Sequence, residues 1–385
     1  MSKLQNAIRP LIIPTHDGSG QATHPSIIDF LVEHDQPSWG GYRYWMAFTP
    51  YPNTNDEHED PNIVASHDGI TWVVPSGIVN PLDDLFGQNY NADTDIVYDP
   101  LEDCLRVYYR SFLTDGVTPR VELRMVKIMQ NRSITSPIVS ITVDLSSLDN
   151  DKIRSQAIWR ESSTRWHMWA NGGSRPYKMW YLFSTDGINW GEPQQCFNQQ
   201  GLDPFEAIGY ENWHPSCKPN YKENRIEFFV VDFITKHLIY AECPMNNPTL
   251  VTTPLNEVIL EISDIGKWDS GGLYRSSFVI DEKDGQQFYR LWYSGFNEQS
   301  VWRIGYTEGK LVGINDNPIP IGYISYRIKN SFVDIPIYEL NDIPTSPLKI
   351  YFKHRICCLN IVDLNDEKAL PVRVFFDGNI KAIGR

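Results

Sequence analysis

The stretch His24-Pro25-Ser26-Ile27-Ile28 is echoed by His214-Pro215-Ser216, which stands at the head of another strand-like run. Three more runs begin at the same place in the pattern: Asp93 opens DTDIVYD, Arg154 opens RSQAIWR and Tyr274 opens YRSSFVI. The starts at 24, 93, 154, 214 and 274 recur at a spacing of about 60 to 70 residues. A fixed period of that length marks one supersecondary unit used repeatedly, each copy too small to bury its own apolar face.

Every copy shows the same order of parts. The aligned strand is followed by an aromatic-rich strand, beginning near Tyr42, Leu105, Arg165, Ile226 and Tyr289. A third strand begins near Asn62, Leu123, Met179, His237 and Val301, and weaker fourth strands fit 138–143 and 257–262. These runs are β-branched and aromatic and are bounded by Gly, Pro, Asn and Asp, the pattern of short strands. Twelve Trp, 20 Tyr and 26 Pro in 385 residues agree with that reading. The fold expected is all-β: a five-bladed β-propeller over residues 1–315, followed by a small β module over 316–385 for assembly or oligomerisation. The lead-in containing Leu11-Ile12-Ile13 is short, being fenced by Pro10 and Pro14, and one use for it is to complete the last blade.

Two third strands end in matching turns, Ser66-His67-Asp68-Gly69-Ile70-Thr71-Trp72 and Ser184-Thr185-Asp186-Gly187-Ile188-Asn189-Trp190. Asp-Gly supplies the backbone geometry of a tight hairpin, so these acids read as fold-building and not as ligand-binding. The tail has strand runs at 322–328, 348–352, 356–362 and 372–376 and closes on an Asp377-Gly378 turn.

The formal net charge of −14 argues against a broad grip on nucleic acid. No apolar run approaches the ~18 residues of a membrane helix, and the N-terminus lacks the apolar core of a secretion signal, so synthesis in a cytoplasm is expected. Six cysteines (Cys104, Cys196, Cys217, Cys243, Cys357 and Cys358) show no C-x-x-C spacing and read as reduced and structural, with no zinc site.

In a propeller the first strand of each blade lines the channel. His24, Asp93, Arg154, His214 and Tyr274 are therefore expected to form one ring, with Asp95, Gln156, Ser216 and Ser276 one layer deeper. Hydrogen-bonding groups beside Trp213, Trp45, Trp169 and Tyr274 suit a carbohydrate, which offers hydroxyls and apolar C–H faces. Arg154 at the mouth suits a carboxylate or phosphate, or pairs with Asp93. His24, His214 and Asp93 could ligate a metal or could simply hydrogen-bond across the channel; the site is read without a metal or cofactor.

The blade pattern, the strand-leading x-Pro position and the S-x-D-G-x-x-W turns resemble the five-bladed propellers of glycoside hydrolase family 43, over residues 12–315. That resemblance implies an Asp before Pro in blade one, an Asp in blade three and an acidic Glu in blade four. Here the matching positions read His24, Arg154, and His214 preceded by Glu211, while Asp95 resembles the family's second-blade Asp. Two of the expected carboxylates are gone, and a two-carboxylate hydrolase needs an opposed pair. If the chain is an enzyme, Asp93, Asp95 and Glu211 are the candidates. A second resemblance, in YWMAFTPYP and VRVFFDGNIKAI, is to receptor-binding and baseplate proteins of bacteriophage tails. It implies a non-catalytic virion adhesin for a cell-surface glycan such as teichoic acid, associated with other tail proteins and forming a homo-oligomer, taken as a trimer. The alternative is a family 43-like glycosidase acting on a surface polysaccharide.

Overall fold

The computed structural model describes residues 4–311 apart from 86–88, 115–117, 255–257 and 284–285, and beyond them six strands between 320 and 382. The chain divides into two compact units, Met1–Asn315 and Asp316–Arg385. In the first, blade one holds β1 (Ala22–Asp29), β2 (Tyr44–Pro50) and β3 (Asn62–Ser66), with a short helix α1 (Phe30–His34) after β1. Blade two holds β4 (Tyr90–Asp99), β5 (Cys104–Leu113), β6 (Arg120–Met129) and β7 (Ile138–Asp144). Blade three is β8 (Arg154–Ser162), β9 (Arg165–Gly172), β10 (Lys178–Ser184) and β11 (Gln194–Gln195); blade four is β12 (Asn212–Asn220), β13 (Arg225–Asp232), β14 (Leu238–Pro244) and β15 (Val258–Leu260). Blade five is β16 (Gly272–Lys283), β17 (Gln286–Phe296) and β18 (Trp302–Gly309). Every blade is an antiparallel meander with neighbours paired in chain order.

The innermost strands β1, β4, β8, β12 and β16 pack on one another in cyclic order, with β16 returning to β1, so the ring closes. Each gap between blades is filled by its own apolar cluster. Ile28, Trp45 and Ile63 meet Ile96, Leu105 and Val126 between blades one and two, and Met46 and Val64 meet Val279, Trp292 and Ile304 between blades one and five. Both faces of a blade are thus apolar, which is why the strands read as near-continuous hydrophobic runs. Burying one large side chain contributes about 1.5–3 kcal/mol, so five such seams dominate the stability of the ring.

The Asp-Gly turns tie blades together. The Asp68 carboxylate accepts from the Ile70 and Thr71 amides at 2.8 and 2.7 Å, and Trp292 of blade five donates to the Gly69 carbonyl at 2.7 Å. Gly69 has φ +77°, and a Cβ there would stand 2.9 Å from the Trp292 ring. Glycine is required both by the backbone and by the close approach. In the second copy Tyr108 of blade two donates to the Gly187 carbonyl at 2.9 Å. Partial burial raises both carboxyls, but the amides of Ile70 and Thr71 on Asp68, and of Ile188 and Asn189 on Asp186, hold each at about 2.

Among the described residues the lead-in forms no strand. Leu4 N donates to Ile259 O at 2.9 Å and Leu11 N to Ile304 O at 2.7 Å, so it straps blades four and five instead of completing a sheet. Cys104, Cys196, Cys217 and Cys243 are buried thiols. In the second unit β19 (Pro320–Ile328) pairs with β20 (Ser331–Tyr338), and β21 (Leu348–Phe352), β22 (Arg355–Leu359), β23 (Arg373–Phe376) and β24 (Asn379–Ala382) form one sheet. The Asp377-Gly378 turn lies outside the described residues. Among the described residues no helix is long and apolar enough to cross a membrane.

Candidate functional site

All five innermost strands carry a β-bulge at the same height. Pairing skips from Thr23 to Ser26, Ala92 to Asp95, Arg154 to Ala157, Trp213 to Ser216 and Leu273 to Ser276. The bulged pairs are therefore His24-Pro25, Asp93-Thr94, Ser155-Gln156, His214-Pro215 and Tyr274-Arg275. A bulge re-aims a side chain, and here it turns one residue per blade into the axis. His24, Asp93, Ser155 and His214 all take left-handed backbone, with φ of 52°, 54°, 49° and 47°. Four strained non-glycine residues at one site mark a place where geometry has been kept at the expense of backbone ease.

This register corrects the ring expected from sequence. Blade three presents Ser155 and not Arg154, because one residue of slip moves a side chain to the other face of a strand. Arg154 instead binds Asp151 at 2.7 Å and lies over the Tyr177 ring. It does not pair with Asp93, whose guanidinium partner is Arg110 at 3.0 Å. Trp45 and Trp169 lie in the seams between blades, away from the axis.

His24, Asp93, His214 and Tyr274 do come together. His24 Nε2 stands 3.2 Å and His214 Nδ1 3.4 Å from Asp93 Oδ1. The ring centroids of His24 and His214 are 5.1 Å apart, and Tyr274 lies 5.2 and 4.0 Å from them. Trp213 meets His214 edge-on at 4.5 Å. The Nδ1 of each histidine is engaged by a hydroxyl: Thr49 Oγ1 at 2.9 Å on His24, and Ser155 Oγ on His214. Ser155 Oγ also donates to Asp93 Oδ1 at 2.9 Å. Both Nε2 atoms are buried without a hydrogen-bond partner. One ligand atom from each of His24, Asp93 and His214 lies within 4.8 Å of the others.

Glu59 was not anticipated. The 51–61 loop folds its carboxyl to 3.1 Å from His24 Nδ1, with the residue 6% exposed. The available signal was the dense run Asp56-Glu57-His58-Glu59-Asp60, whose last two members are buried. Burial raises the Glu59 carboxyl well above its ordinary range. Burial also lowers both imidazoles, His214 to about 4, so both are neutral and able to ligate. Burial opposes ionisation of Asp93 as well, but hydrogen bonding at the axis and the permanently charged Arg110 hold it well below the usual range.

One layer down, Asp95 is fully engaged. It accepts from Ser26 Oγ and, at 2.6 Å, from the Ile158 amide, with Arg275 at 4.0 Å. Gln156 donates to the Asp93 carbonyl, and Arg275 donates to the Gln156 carbonyl at 2.7 Å. Ser216 and Ser276 lie 3.4 Å apart. Glu211 is clamped by Arg175 at 3.0 and 2.8 Å and accepts from the Tyr177 amide. Asp93, Asp95 and Glu211 thus do not form an opposed pair of free carboxylates; each is held by its own cation.

Comparison with known proteins gives the context. No protein-family profile matches the chain. A curated relative, the A type blood N-acetyl-alpha-D-galactosamine deacetylase of Flavonifractor plautii, is 26% identical over 360 residues, covering 76% of this chain. The match covers 45% of that relative, so the chain spans about half its length. The crystal structure of an N-acetylgalactosamine deacetylase from F. plautii in complex with blood group B trisaccharide superposes with a TM-score of 0.67 at 23% identity, over 80% of this chain and 96% of that one. A GH43_1 enzyme from Xanthomonas citri superposes at 0.51 with 10% identity, over 88% and 97%. These likenesses establish the five-bladed propeller. They also overturn the expectation of a non-catalytic phage tail adhesin, since the relatives are carbohydrate-processing enzymes.

Proposed function

We propose that the chain is a carbohydrate-active hydrolase, and that its reaction is metal-assisted removal of the acetyl group from an N-acetylated amino sugar. The observation that carries this reading is the convergence of His24, Asp93 and His214, one ligand atom of each within 4.8 Å of the others, with both Nε2 atoms buried and without a hydrogen-bond partner. Two imidazoles and a carboxylate fit a divalent cation of the zinc or manganese kind, and they leave positions open for substrate. The hydroxyls of Thr49 and Ser155 on the two Nδ1 atoms hold the imidazole rings in place, the usual task of groups behind metal ligands. A cation held there would act as a Lewis acid towards an amide carbonyl.

The remaining work falls to the chain's own groups. Glu59, beside His24, takes a proton from the attacking water and delivers it to the departing nitrogen. A C–O bond forms, the amide C–N bond breaks, and acetate and an amino sugar result. Arg110 keeps Asp93 ionised and fixed. The relative's activity on an N-acetylated sugar supports this reading.

Glycoside hydrolysis is the second reading. It is favoured by the placing of Glu59 and Asp93 on opposite nitrogens of His24, at 3.1 and 3.2 Å, as two flanking carboxyls. The test is incubation with oligosaccharides ending in N-acetylgalactosamine or N-acetylglucosamine, with acetate and reducing ends measured separately. Acetate release abolished by a chelator and restored by added metal is expected. New reducing ends without acetate would overturn deacetylation in favour of the glycosidase, and neither product would overturn both.

A further inference from the structure

Four of the five bulges bring His24, Asp93, Ser155 and His214 to the axis on left-handed backbone; the fifth brings Tyr274, whose φ is not positive. Its ring is wedged against both imidazoles, 4.0 Å from His214 and 5.2 Å from His24. From behind it is braced edge-on by Trp302 at 4.9 Å, itself packed on Phe296 and Tyr51 at 4.4 and 5.1 Å. So rigid a setting leaves the ring no freedom to turn its hydroxyl elsewhere.

That hydroxyl has no hydrogen-bond partner among the described residues. The phenols packed between blades behave differently: Tyr108, Tyr109, Tyr289 and Tyr293 end on Gly187 O, Asp83, Glu227 and Asp269. A half-buried phenol with an unspent donor, held against two imidazoles whose Nε2 atoms lack a partner, points to a partner that arrives with the substrate. With an ordinary pKa near 10, a tyrosine at neutral pH is a donor.

We infer that Tyr274 is a catalytic residue that donates a hydrogen bond to the acyl oxygen of the substrate as negative charge gathers on it. This rests on the deacetylase reading above. A fixed donor aimed at developing charge acts mainly in the transition state, where its loss is felt in kcat by about 10²–10³-fold.

The experiment uses the full chain loaded with metal and its Tyr274→Phe variant, which keeps the ring and removes the donor. The substrate is an oligosaccharide ending in N-acetylgalactosamine, with acetate release followed. The expected result is a kcat lowered about 100-fold or more with KM changed less than about threefold, and with bound metal and melting temperature equal to the parent's. A variant with kcat within about threefold of the parent overturns the inference and leaves the deacetylase reading standing. A fall in kcat matched by loss of metal or of melting temperature also overturns it, since the ring contact alone would then be at fault. A parent chain that holds metal yet releases no acetate overturns both.

Discussion

Asp93 and Asp95 lie two residues apart on β4, both buried, yet they belong to different kinds of environment. Asp95 is engaged by Ser26, the Ile158 amide and the nearby Arg275, an arrangement that ties β4 to β1, β8 and β16. Asp93 shares its carboxylate among Ser155, Arg110 and two imidazoles that each retain an unpartnered nitrogen. Both carboxylates are buried. What separates scaffold from site is where the carboxylate's bonds go: those of Asp95 run between strands of the ring, whereas Asp93 faces two imidazoles whose Nε2 atoms are left without a hydrogen-bond partner.

The contrast is sharpest when one group is removed from each layer. His214→Ala should reduce bound divalent metal from about one per chain to near zero, and Glu59→Gln should lower acetate release about 10²–10⁴-fold with metal retained. Elemental analysis and product assay read the two, and a His214→Ala chain that still holds stoichiometric metal would break the distinction. Asp95→Ala leaves Arg275 buried without its carboxylate and should cost about 3–5 kcal/mol in chemical denaturation. Equal stability would place Asp95 outside the scaffold.

Smaller effects test the register. Ser155→Ala should weaken metal affinity about 10–100-fold through loss of the hydroxyl on His214, whereas Arg154→Ala, one residue away, should change it less than about twofold; the reverse order would restore the ring read from sequence. Smallest is the turn. Asp68→Ala should destabilise by about 1 kcal/mol, because it frees the Ile70 and Thr71 amides. The Asp68 and Asp186 carboxyls are held at about 2, below their ordinary range. The stability they supply is therefore fully present above about pH 4 and is lost as pH falls towards 2. A thermal melt series from pH 5 to 2 should show the alanine variant losing less stability than the parent over that interval.

Much of the scaffold was legible because it repeats. The period, the strand alternation and the S-x-D-G-x-x-W turns are local patterns, each set by neighbours in the chain, and they gave five blades and identified Asp68 and Asp186 as turn-builders. Asp93, His24, His214 and Tyr274 could be aligned for the same reason. Ser155 and Glu59 could not. A bulge inserts one residue without changing composition, so blade three's register is decided by its pairing with β9. Glu59 sits in a loop between strands, and it reaches His24 only because the closed ring places that loop over the axis. Sequence by itself determined the repeated unit, since strand and turn chemistry act over a few residues; the tertiary structure alone decided which side chains share the axis, since closure and register are properties of strands distant in the chain.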